Sequence, residues 1–143
     1  MSDRFFVDTN ILLYAHDSGT GIKHERARDL MDRLWSLRQG VLSTQVLQEF
    51  AISLRRKISP PLSTRETREW ITQYMRWEVV VNTSRSVLNA LEIEERYQIS
   101  FWDALIVQAA ESAGAETLYT EDMQRGRKFG GLTIVNPFLQ GAP

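Results

Sequence analysis

The stretch from Asp3 to Asp17, DRFFVDTNILLYAHD, decides how the chain is read. A short apolar run, Phe5-Phe6-Val7, stops at Asp8. Thr9 and Asn10 follow, and a second apolar run begins at Ile11. This is a buried strand running into a helix, with a carboxylate at the junction. Such a group is costly to desolvate, and no basic residue adjoins it in sequence. Taken singly, Asp8 also reads as an ordinary helix-capping aspartate.

Working outward, the same alternation repeats. Ala27, Leu30, Met31, Leu34 and Trp35 have helical spacing between His24 and Arg38, with Gly40 as the stop. Val41-Leu42-Ser43 is a second short strand. Val46, Leu47, Phe50, Ala51 and Leu54 mark a second amphipathic helix that runs to Lys57. SPPLSTRE, residues 59–66, breaks the chain and starts a helix. Ser63 and Glu66 have capping-box spacing there, and the helix is expected to reach Trp77. Residues 78–81, EVVV, form a third strand, and a helix spans residues 84–97. Ser100 caps a strong helix that Gly114 ends. TLYT and LTIV are the fourth and fifth strands. The expectation is a single domain over residues 1–143. It is α/β, with a mostly parallel sheet of about five short strands covered on both faces.

The bulk properties narrow the function classes. A chain of 143 residues, 43% hydrophobic and 24% charged, can bury a proper core, which argues against disorder. The net charge of -1 supplies no global field for a polyanion, so any nucleic-acid contact has to come from local patches. The absence of cysteine excludes disulfides, thiolate metal sites and a cysteine nucleophile, and suits a cytoplasmic protein. Two histidines, His16 and His24, make a histidine-rich metal site unexpected. No signal peptide is expected, and no apolar run approaches the ~18 residues of a membrane span.

Four acids share one geography. Asp8 ends the first strand. Glu49 lies in the first turns of the helix after the second. Asp103 is in the first turn of the helix before the fourth strand, and Asp122 follows that strand. In a parallel sheet all four can approach the crevice beyond the strands' carboxyl ends. Unneutralised they would repel one another, with raised pKa values. A hard divalent cation removes the conflict, because Mg²⁺ and Mn²⁺ take oxygen ligands. Such an ion activates water against a phosphodiester. Each acid also has a plainer use: Asp103 three residues after Ser100 fits a capping box, Glu49 a solvated helix face, Asp122 an exposed loop.

FFVDTNILLYAHD, LSTQVLQEF, SFWDALIVQAA, LYTEDMQRG and TIVNPF, in this order, resemble the successive blocks of a PIN-domain protein, in particular of the VapC-like toxin ribonucleases. The resemblance implies a three-layer α/β/α sandwich, Mg²⁺- or Mn²⁺-dependent endonucleolytic cleavage of RNA, and an acidic crevice. Asp8, Glu49, Asp103 and Asp122 fall on its acidic positions, as metal ligands and catalytic groups. Thr9, Asn10 and Thr120 match positions that orient acids or metal waters, though turn and capping chemistry also accounts for them. Thr-x-Asp spacing favours Asp122 over its neighbour Glu121 as the fourth acid. The resemblance further implies an antitoxin partner and a homodimer. Ile11, Leu12, Tyr14 and the helix from Ser63 to Trp77 are the expected apolar contact surface.

RNA needs cationic contacts. Arg125, Arg127 and Lys128, just past Asp122, are preferred as RNA contacts over Arg55, Arg56 and Lys57. Trp35, Trp70, Trp77 and Trp102 sit mostly at helical core spacing and read as packing. Beside the toxin reading, the resemblance equally allows a non-toxin PIN ribonuclease of RNA processing, and two other classes compete. A catalytically silent PIN-like binding module would need the acids only for folding or contact. A phosphoacceptor domain would want an acceptor aspartate after the third strand and a late lysine. Val81-Asn82-Thr83 follow that strand instead, and no lysine follows Lys128.

Overall fold

Strand β1 (Phe5–Val7) lies inside the sheet and pairs parallel with β2 (Gly40–Ser43) on one side and β4 (Thr117–Tyr119) on the other. The structure, a computed structural model, describes residues 3–139. β3 (Glu78–Val80) pairs parallel with β2, and β6 (Leu132–Val135) pairs parallel with β4. The sheet order is β3-β2-β1-β4-β6-β5. The sixth strand, β5 (Lys128–Phe129), folds back antiparallel on β6. It is the one strand beyond the five expected, because two residues carry no readable period.

The helices follow from the connections. α1 (Thr9–His16), a 3-10 turn (Ser18–Thr20) and α2 (Ile22–Leu37) link β1 to β2. α3 (Thr44–Arg56) and α4 (Thr64–Tyr74) link β2 to β3. Both steps move the same way along the sheet, so right-handed crossovers put these helices on one face. α5 (Ser84–Tyr97) and α6 (Phe101–Ser112) link β3 back across to β4, which reverses direction and covers the other face. The result is the expected three-layer α/β/α arrangement with a mostly parallel sheet. No helix among the described residues is long and apolar enough to cross a membrane.

The core is drawn from the readable apolar positions: Phe6, Val7, Leu42, Val46, Phe50 and Leu118 are fully buried. In α6, Ala104 through Ala110 are all buried, so this helix is packed on every side between its first turn and its exposed last residues, Glu111 and Ser112. Ile11 and Leu12 are also fully buried, which corrects their expected role as a contact surface. α1 starts directly off the central strand, and its apolar face has nowhere to go but onto α2 and α3.

Several boundaries differ from expectation. α2 starts at Ile22, not His24, after Gly21 at a φ of 64°. It ends on Arg38 in the left-handed region, not at Gly40. Gly40 is the first residue of β2 instead, and there it meets Trp77. α4 has its capping box, with Glu66 N–H donating to Ser63 Oγ and Ser63 N–H to Glu66 Oε1, both at 3.0 Å. It stops at Tyr74, three residues short of Trp77, whose ring turns back over the Gly40 backbone.

A Cβ on Gly40 would lie 2.0 Å from the Trp77 ring. Gly40→Ala is therefore expected to destabilise the fold by about 2–3 kcal/mol through overpacking. Gly131→Ala, with nothing within 4 Å of its added methyl, is expected to be near neutral. Denaturant midpoints of the two variants check this, and equal midpoints would show that Trp77 is not fixed over β2.

Candidate active site

The direction of the connections reverses beside β1, so the crevice of an open parallel sheet falls between the carboxyl ends of β1 and β4. Asp8 immediately follows β1 and Thr120 immediately follows β4. The two meet: the Thr120 hydroxyl donates to Asp8 Oδ2 at 2.8 Å, with Thr120 fully buried. Thr9 N–H donates to Asp8 Oδ1 at 2.7 Å, so Asp8 also caps α1. The capping role and the site role are carried by the same carboxylate.

A crevice of about 360 Å³ opens here. Asp8, Glu49, Asp103 and Asp122 all line it, with Thr9, Asn10, Gln45, Lys57 and Trp102. Glu49, in the second turn of α3, accepts from the Thr9 hydroxyl at 2.6 Å. Asp103 is brought in by the first turn of α6, where Ser100 Oγ accepts from its N–H at 3.1 Å. Its carboxylate makes no reciprocal capping bond, so the capping-box use does not apply. Asp122 accepts from Asn10 Nδ2 at 2.9 Å. A hollow of about 450 Å³ at the opposite ends of β1, β2 and β3 is larger, but its one carboxylate, Glu78, is paired with Arg4 at 3.3 Å.

The loop after β4 sorts its side chains. Thr120 turns inward to Asp8. Glu121 turns away, accepting from the Tyr14 hydroxyl at 2.9 Å and pairing with Lys23. Asp122 turns to Asn10 and the crevice. Asn10 ties the loop down at both ends of its amide, because its Oδ1 accepts from Glu121 N–H at 3.2 Å.

The electrostatics match the crowding. Asp8 is 8% exposed, and its burial pushes its pKa from an ordinary 3.8 up to about 6. The Thr120 and Thr9 hydrogen bonds work against that rise, and the charges of Glu49 and Asp122 add to it. Asp103 is raised by partial burial and further by Asp122, while the Ser100 hydroxyl opposes the rise. None of the four acids makes an ion pair among the described residues, and Lys57 is the one cationic side chain in the crevice wall.

Among the described residues, no three His, Asp or Glu side chains converge tightly enough to enclose a metal ion. The donor set nevertheless fits a hard divalent cation that keeps several of its waters, for which one or two direct carboxylates suffice. It offers oxygen donors alone, held by hydroxyls and an amide from outside. Zinc, which prefers nitrogen and sulfur, fits poorly.

The preferred cationic cluster is placed differently from expectation. Arg125 and Lys128 are exposed outside the crevice wall. Arg127 donates to the Tyr97 carbonyl at 2.5 Å and lies 5.0 Å from the centre of the Phe129 ring. Lys57, from the other cluster, lines the crevice because α3 ends beside it. Trp102 is corrected as well. It was expected to pack, yet it is 63% exposed on the crevice rim. Gln45 had no signal in the sequence. It is 6% exposed, and its Nε2 donates to the Trp102 carbonyl at 3.3 Å.

The PIN domain family profile matches residues 5–127. A chain of a toxin–antitoxin complex from Klebsiella pneumoniae superposes with a TM-score of 0.70 at 18% identity, covering 96% of this chain and 98% of that one. A VapC toxin from Mycobacterium tuberculosis, described as cleaving the sarcin–ricin loop, superposes at 0.64 with 23% identity over 82% of this chain and 89% of its own. A chain of the DNA-bound VapBC complex from Salmonella typhimurium does so at 0.64 with 16% identity, over 93% and 97%. At these identities the likeness is one of fold. No curated protein sequence matches the chain.

The raised pKa of Asp8 gives a test with a definite sign. Folding with the carboxylate ionised is penalised, so stability is gained as pH falls through about 6 toward 3.8 and is lost above. In metal-free buffer Asp8→Asn keeps a capping side chain and drops the charge. It is expected to be more stable than wild type at pH 7–8, by up to roughly 3 kcal/mol. The gap should close as pH falls through 6. Burial of His16, which lowers its pKa to about 4, acts oppositely in both proteins and cancels in the difference. Paired thermal melts from pH 4 to 8 check this, and a gap that ignores pH would count against a buried, ionised Asp8.

Proposed function

The chain belongs to the PIN domain family, and on that premise we propose that it is a divalent-metal-dependent endoribonuclease. The observation that carries the reading is Asp8. It is a buried carboxylate at the sheet's switch point, costly to ionise, in a crevice with three further acids, none of which has an ion-pair partner among the described residues. A fold gains nothing by grouping these charges unless a cation joins them.

In this reading Asp8, Asp103 and Asp122 hold the metal, directly or through its waters, with Glu49 completing the acidic set. Mg²⁺ or Mn²⁺ supplies an activated water and neutralises charge on the phosphodiester. The rest is done by the chain. Thr120 and the Thr9 N–H fix both oxygens of Asp8. The Thr9 hydroxyl orients Glu49, which in this reading would accept a proton from the attacking water. Asn10 orients Asp122. Lys57 is the cation nearest an incoming phosphate, and Arg125 and Lys128 are exposed for more distant phosphates.

We further propose that the protein is the toxin of a toxin–antitoxin pair, with a separate antitoxin chain as partner and a homodimer as its assembly. The support is the likeness of fold to chains taken from toxin–antitoxin complexes. Coexpression with the product of a neighbouring short reading frame, followed by light scattering, tests this. A lone monomer in both cases would remove it.

The activity is tested by incubating the purified chain with RNA in Mg²⁺, in Mn²⁺ and in EDTA. Cleavage is expected in both metals and absent in EDTA. Asp103→Asn should lower it by about a hundredfold or more. Equal cleavage by Asp103→Asn would place the activity elsewhere, and tight RNA binding without cleavage in either metal would favour a silent binding module.

A further inference from the structure

We propose that Trp102 is a stacking platform for an unpaired nucleobase, seated beside the phosphodiester that the acids address. The proposal rests on the ribonuclease reading and adds to it the residue that would hold a base free of its helix.

Trp102 sits one residue before Asp103 in the first turn of α6, and both side chains line the same crevice. It is the most exposed of the four tryptophans at 63%, against 39% for Trp70 and partial burial for Trp35 and Trp77. This exposure does not come from a peripheral helix, since every residue from Ala104 to Ala110 is buried. Folding therefore makes little use of the largest apolar side chain on the helix, and that side chain stands at the rim of the polar crevice.

Its support is firm. The Trp102 carbonyl accepts from Gln45 Nε2, a nearly buried amide whose own Oε1 has no hydrogen-bond partner. The indole packs edge-on against Phe101, with ring centres 5.4 Å apart at 76°. The amide fixes the backbone beneath the ring and the Phe101 edge restricts the indole itself, which reduces the freedom lost when a base stacks on it. Lys57 on the same wall supplies a charge for the adjoining phosphate. An indole accepts any base, because every base has a π-face, but it accepts only a base free of its helix. The selection this predicts is for unpaired structure rather than for sequence.

The test uses the full chain in EDTA, so that no RNA is cut. A short mixed-sequence single-stranded RNA and the same strand in a duplex are titrated by fluorescence anisotropy. Trp102→Ala is expected to weaken single-strand binding by roughly tenfold to a hundredfold, with duplex binding unchanged. Trp102→Phe should restore most of the loss. Mn²⁺ affinity by calorimetry should be the same in all three proteins, showing the acids undisturbed. Single-strand binding by Trp102→Ala equal to wild type overturns the proposal. If that variant also changes the oligomeric mass, the ring belongs to a protein contact instead. If wild type neither binds nor cleaves RNA, the ribonuclease reading falls and this proposal with it. If wild type does both and Trp102→Ala does both equally, the stacking platform alone falls.

Discussion

The structure depends on how one buried carboxylate is held. Asp8 sits where the central strand meets its first helix, and burial makes its charge expensive. Two donors hold it, the Thr9 N–H from its own helix and the Thr120 hydroxyl from the end of the neighbouring strand. The second bond spans 112 positions in the chain and fixes the ends of β1 and β4 against each other. Neither donor carries a formal charge, so the carboxylate's negative charge is oriented without being cancelled. A salt bridge there would have been more comfortable for the fold and would have left a cation little to bind.

The surrounding groups extend the same economy. Thr120 Oγ1 gives its proton to Asp8 and accepts from Asp122 N–H at 3.2 Å, so one hydroxyl sets both the buried acid and the loop that carries another. Asn10 does the same from α1, reaching Glu121 N–H and the Asp122 carboxylate with the two ends of one amide. Lys23 and Tyr14 take the side chain of Glu121 outward. Two adjacent acids are thus sent to opposite sides, and the Lys23 cation, from α2, goes to the one that faces away.

The crevice is acidic in a protein of nearly neutral net charge. A polyanion approaching it needs local cations and a surface indifferent to charge. Lys57, at the end of α3, is the cation of the crevice wall, and the Trp102 ring, from α6, is the most exposed aromatic surface on it. They come from helices on opposite faces of the sheet that meet at the crevice, where Gln45 of α3 donates to the Trp102 carbonyl of α6. In the ribonuclease reading proposed above, a substrate would meet one charge and one aromatic face beside the acidic set.

The local code was readable where it is local. Phe5-Phe6-Val7 announces a strand, Ser63 and Glu66 announce a helix start, and the acids' places at strand ends follow once strands and helices alternate. Sequence position could not supply direction. Ile11 and Leu12 look the same whether a helix is covered or bare, and only the packing of α2 and α3 over α1 buries them. Trp102 has core spacing in a helix that is buried almost throughout, but the first turn of that helix emerges at the crevice. Arg127 adjoins Asp122 in sequence yet is drawn to Tyr97 and Phe129, while Lys57, 65 positions before Asp122, reaches the site. The alternating elements and the acid-bearing junctions are written locally in the chain, because period and capping act over a few residues. Which side chains share a space depends on strand order and crossover hand, which join residues far apart in the chain.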